Sequence, residues 1–151
     1  MQLSPTLVFD GTDVVFEPNQ NAYDTTFNQH IQAAKSVVPI YNLSLEGTAT
    51  NNTGSLHVRI LPADTLVHDS VYALIAICQD SVIGDLGGIY NYTVKGLSSF
   101  PVNIFYPDSM DTTIIFSHSA PIDKLRAVLF MQDMHSKKVL QTTKYEFTED
   151  K

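Results

Sequence analysis

The chain has 151 residues, 44% of them hydrophobic and 17% charged, with a formal net charge of −7 at pH 7. This length supports one domain, or one domain with an appendage, and the apolar share is enough for a core. The acidic balance excludes nucleic acid, whose phosphates call for basic patches, and an electrostatic hold on an anionic membrane.

In chain order, Thr6-Leu7-Val8-Phe9 and Val14-Val15-Phe16-Glu17 read as two short strands. Asp10-Gly11-Thr12-Asp13 between them supplies residues that tolerate positive φ in a tight turn. Asn21, with Asp24 three residues on, offers a helix cap. Tyr23, Phe27, Ile31 and Ala34 then recur at helical spacing, and Val37-Val38-Pro39 ends the pattern. From Ile40 onward only strands are predicted. Tyr41, Leu43 and Leu45 alternate with polar residues, and so do Leu56, Val58 and Ile60. Val71 to Cys78 is continuously apolar, which predicts a central strand. Ile89 to Val94 and Thr112 to Phe116 are further strands, separated by a proline-containing loop from about Phe100 to Asp111. Leu125 to Met131 is an apolar run with one charge, Arg126, and predicts a strand buried on both faces. After a polar turn, Val139, Gln141, Thr143, Tyr145 and Phe147 alternate as a half-exposed strand. These seven strands without an intervening helix predict a mainly β chain, an immunoglobulin-like antiparallel β-sandwich preceded by a hairpin and one helix.

Ser4-Pro5-Thr6-Leu7-Val8-Phe9-Asp10-Gly11 resembles the second half of a thioredoxin fold, where a proline is followed by a strand, a turn, a strand and a helix. Tyr72 to Ile77, Tyr90 to Gly96 and Ala127 to Gln141 resemble the sandwich that follows a thioredoxin-like domain in certain bacterial outer-membrane lipoproteins. The resemblance implies a partial thioredoxin-like hairpin and helix over 1–38 and a sandwich over 39–151. It also implies a cis Ser4–Pro5 bond. The family's Cys-x-x-Cys has no counterpart here. No stretch approaches the roughly 20 apolar residues of a membrane span, and Met1 is not followed by an export signal. The expectation is an extracytoplasmic piece, in periplasm or outer membrane, of a longer exported chain.

Candidate chemistry is sparse. The one cysteine, Cys78, excludes an internal disulfide and sits in an apolar strand, where it reads as a small buried hydrophobe. The five histidines show no metal-ligand spacing, and no catalytic residue, cofactor or metal is predicted. Tyr90, Tyr92, Phe100, Phe105 and Tyr106 concentrate aromatic rings in the middle of the chain. They are candidates for ligand or partner contact, with core and loop packing as the alternative. The predicted function is a non-catalytic accessory or protein-interaction domain. The alternatives are the C-terminal part of a thiol-disulfide oxidoreductase with its cysteines upstream, and a carbohydrate-binding module. Strand Thr6 to Phe9 would have one open edge and the hairpin one uncovered face, which predicts a homodimer through that edge.

Overall fold

The computed structural model describes residues 6–65, 70–85 and 87–149. Pro5, and with it the expected cis bond, lies outside them. Strands β1 (Thr6–Phe9) and β2 (Asp13–Phe16) form the predicted hairpin, with Leu7 opposite Val15 and Phe9 opposite Asp13. Asp10 and Gly11 carry it round at φ of 49° and 76°. A 3-10 turn over Gln20–Ala22 runs into helix α1 (Tyr23–Lys35). The cap differs from the predicted one. Asn19, not Asn21, supplies the side-chain acceptor, because the 3-10 turn precedes the helix and holds the first unsatisfied N–H groups.

Helix α1 packs on one face of the hairpin. The His30 ring stacks on Phe9 at 5.4 Å, and its Nδ1 lies 2.7 Å from the Asp13 carboxylate. Thr26 donates a hydrogen bond to Glu17 at 2.9 Å. Val15 is buried on the covered face, whereas Val8, Val14 and Phe16 on the other are more than half exposed.

The sandwich uses β3 (Tyr41–Ala49), β4 (Thr53–Pro62), β5 (Val71–Gln79), β6 (Val82–Ile83), β7 (Ile89–Tyr90), β8 (Thr93–Pro101), β9 (Met110–Ser117), β10 (Leu125–Asp133) and β11 (Val139–Glu146). One sheet has the order β3-β4-β9 and the other β11-β10-β5-β8, and every pairing is antiparallel. Strand β5 is central, as its unbroken apolar run predicts. The expected strand from Ile89 to Val94 is instead broken between Tyr90 and Thr93. Asn91 and Tyr92 form a bend, Tyr92 at φ 54°, and β8 runs on through Phe100 to Pro101, where a loop was expected. The Lys-Gly-Leu-Ser-Ser segment hides this strand, since it lies on a sheet edge and has little apolar alternation.

The facing sides of the two sheets make the core. Leu56, Val58 and Ile60 of β4 meet Ile75 of β5 and Leu125, Leu129 and Met131 of β10, all fully buried. Each such side chain contributes about 1.5–3 kcal/mol relative to exposure. At one side of the sandwich the Tyr145 hydroxyl donates to the Gly47 carbonyl at 2.8 Å, tying β11 to β3. At Gly47 a Cβ would lie 2.9 Å from both the Phe147 ring and the Ser55 carbonyl.

The hairpin–helix unit meets the sandwich turn against turn. The Val139 N–H donates to the Asp10 carbonyl at 2.7 Å, and Gly11 presses on the Lys137 carbonyl so closely that no Cβ fits.

Candidate functional site

Along β5 and β10, alternate residues point to opposite faces. Leu125, Ala127, Leu129 and Met131 are fully buried, as are Ala73 and Ile75. Between them, Arg126, Val128, Phe130 and Gln132 of β10 pair with Cys78, Ala76, Leu74 and Tyr72 of β5 on the outer face. Here the structure corrects the sequence reading. The expectation of burial on both faces of Leu125 to Met131 holds inside but not outside, where Val128 and Phe130 are only half-buried. Among the described residues no second layer seals that face.

The register extends the face across four strands. One row runs Lys144, Val128, Ala76, Leu97, and the next runs Thr142, Phe130, Leu74, Ser99. On β8 the pairing skips from Gly96 to Val94, so Lys95 is the extra residue of a β-bulge. Val94 and Leu97 thereby both face outward, 57% and 63% exposed.

A polar cluster closes the face at the end nearest the β5–β8 connection. Arg126 Nε lies 3.2 Å from Asp80, the two side chains 16% and 17% exposed, and 3.9 Å from Glu146. Its Nη1 donates to the carbonyls of Asp123 and Leu125. Lys144 reaches Glu146 at 2.9 Å. That hydrogen bond is the main cause holding the Glu146 carboxyl below its ordinary range and the Lys144 ammonium above its own, Tyr92 adding to the latter.

Beyond β5 the ladder is interrupted by two reciprocal bonds. Asp80 accepts the Tyr92 N–H at 2.9 Å, and Asn91 accepts the Ser81 N–H at 3.0 Å. Ser81 and Tyr92 sit at φ of 58° and 54°. Strands β6 and β7 then continue the hairpin to a tip, where Ile83 and Ile89 face each other, both more than two-thirds exposed.

The five candidate aromatic residues are split by β8. Tyr90 and Tyr92 lie before it, while Phe100, Phe105 and Tyr106 lie at or beyond its far end, so a nine-residue strand of about 30 Å separates the two groups. They do not form one platform. The Tyr90 ring lies over Gly84 and Gly88 of the tip. Phe100 packs against the core. Phe105 and Tyr106 are exposed in a turn that includes a cis Tyr106–Pro107 bond.

Cys78 is 3% exposed beneath the outer face, and burial, then Asp80, pushes its thiol up, away from the reactive thiolate. Among the described residues no three His, Cys, Asp or Glu side chains cluster as metal ligands. No helix among them is long and apolar enough to cross a membrane. A cleft of about 670 Å³ lies where the hairpin–helix unit meets the sandwich, walled by Phe9, Ile31, Val38, Ile40, Val139 and Leu140 among others. Sequence reasoning missed the Asp80–Arg126 pair, although a lone arginine inside an apolar strand signals a partnered charge.

No family model matches the chain, and no curated protein matches it in sequence. Its fold is similar to that of HBP35 of Porphyromonas gingivalis, with a TM-score of 0.65 and 11% identity, over 80% of this chain and 45% of that one. The chain thus spans less than half of HBP35. It also matches a domain of the outer membrane lipoprotein Omp28 from Porphyromonas gingivalis at a TM-score of 0.44 and 11% identity, over 74% of this chain and 90% of that one.

Proposed function

We propose that the chain is a non-catalytic accessory or protein-interaction domain of an exported, envelope-associated protein, and that the outer face of its four-stranded sheet is the contact surface. One observation carries this reading. Strands β5 and β10 have the composition of strands buried on both sides, yet Val128, Phe130 and Leu74 keep part of their surface exposed, and Val94 and Leu97 on the neighbouring β8 are open to solvent. A sheet face meant for water shows polar residues there. An apolar patch flanked by polar and charged residues is characteristic of a protein contact.

The envelope part of the proposal rests on the lipoprotein-like segments Tyr72–Ile77, Tyr90–Gly96 and Ala127–Gln141. The same reading takes 1–38 as a thioredoxin-like remnant, the sandwich as immunoglobulin-like, and the location as extracytoplasmic. A photo-crosslinking residue placed at Leu97 in the producing cells should yield protein adducts. The same residue at Thr113, on the outside of the other sheet, should yield none. Adducts from Thr113 alone, or from neither position, would reject the assignment of this face.

A further inference from the structure

We infer that the occupant of the outer face is a second copy of this chain, in a two-fold, face-to-face contact between two four-stranded sheets. The inference rests on the proposed reading of that face as a contact surface and names what covers it. Three features carry it.

The first is charge. The chain has a net charge of −7, so most pairs of surfaces on two copies repel. On this face, however, Arg126 and Lys144 are matched within the same cluster by Asp80 and Glu146. Two such faces meet without net repulsion, and a differently charged partner gains no steering from them.

The second is shape. In the row Lys144, Val128, Ala76, Leu97, the small Ala76 is 7% exposed between two larger side chains, and Leu97 at its end is 63% exposed. A protruding side chain and a shallow dip on one surface are what an isologous contact requires, because each copy offers the other both halves.

The third is size. Strand β10 pairs with β5 over nine residues, about 30 Å, and four strands span about 19 Å. Two planar faces of that extent bury roughly 1,100 Å² together, and side-chain relief adds to it. This clears the roughly 1,000 Å² of a specific interface. By comparison, the bare side of the N-terminal hairpin offers Val8, Val14 and Phe16 on two short strands.

Sedimentation equilibrium of the full chain tests the inference, with Leu97→Asp, the milder Leu97→Thr, and Val14→Asp on the hairpin. The wild type and Val14→Asp are expected to be dimers at high micromolar concentration. Leu97→Asp is expected to be monomeric, and Leu97→Thr to dissociate about tenfold more readily with an unchanged circular dichroism spectrum. If Leu97→Asp does not fold, Leu97→Thr decides alone. A monomeric wild type, a dimer insensitive to Leu97, or one abolished only by Val14→Asp would overturn the inference. With a monomeric wild type, adducts to another protein from Leu97 would leave the contact-surface reading standing, whereas a silent Leu97 would remove both.

Discussion

The outer faces of the two sheets differ in composition although the sheets share one core. On the three-stranded sheet, Asn42, Ser44 and Glu46 of β3, His57 and Arg59 of β4, and Asp111 and Thr113 of β9 face outward, with Leu61 and Ile115 as apolar residues toward opposite ends. On the four-stranded sheet the matching positions hold Leu74, Ala76, Val128, Phe130, Val94 and Leu97, with Thr142, Ser99, Tyr72 and Gln132 toward one end and the charged cluster at the other. Both sheets share one core and the same alternation, so backbone geometry does not explain the contrast. Side-chain choice does. One face is mostly polar and the other carries an apolar patch over its central strands.

The largest effects should not distinguish the sheets, because their inner faces form one core. Leu56→Ala on β4 and Leu129→Ala on β10 each remove a fully buried side chain and should each cost about 2–5 kcal/mol in denaturant unfolding. A loss below about 1 kcal/mol on either sheet would break the picture of a shared core.

The next effect should separate them. Asp80→Ala leaves Arg126, which is 16% exposed, without its nearest carboxylate and frees the Tyr92 N–H, at a cost of about 1–3 kcal/mol. Asp111→Ala on the polar sheet removes longer contacts to His57 and Arg59, 3.6 and 3.9 Å away on exposed side chains. It should cost under about 1 kcal/mol. Equal losses in thermal melts would remove the distinction.

Smaller still is the effect of adding polarity outside. Leu97→Thr and Ile115→Thr, both at exposed positions, should each change the stability of the dilute chain by less than about 0.5 kcal/mol. A large loss at Leu97 in dilute protein would mean that this side chain holds the fold rather than serving a contact.

The smallest effect is a pH dependence at the charged end. Glu146 has its carboxyl held low, first by the Lys144 hydrogen bond and charge and then by Arg126. A depressed carboxyl contributes stability that is fully present above its unfolded value of about 4.3 and is lost as pH falls through the lower folded value. The melting difference between wild type and Glu146→Gln should therefore be steady at neutral pH and vanish in strong acid. A difference that grew on acidification would reverse the sign of that argument.

Much of this fold was legible in the sequence because its signals are local. Alternation in Tyr41–Leu45 and Leu56–Ile60, the Asp10-Gly11 turn and the helical spacing from Tyr23 to Ala34 each depend on near neighbours. The misreadings arose where tertiary context decides. Asn19 displaced Asn21 as cap through an added 3-10 turn. Tyr92 bends the chain because its N–H is taken by Asp80, twelve residues away. The outer face was legible only in outline. The apolar run of β10 predicted burial on both faces, whereas the sandwich fully buries only the inner one. The aromatic residues at 90–106 are close in sequence, but the full length of β8 divides them into two groups, a separation that sequence distance conceals.

An open sheet edge acts like a living polymer end, to which each arriving strand adds while exposing a new edge. On β8, Lys95 offsets the ladder within the bulge and places an ammonium group there, while Pro101 near the far end has no N–H to offer an incoming strand. The two residues act as terminators near the two ends of one edge. A strand arriving at this edge would therefore meet an obstacle near both ends.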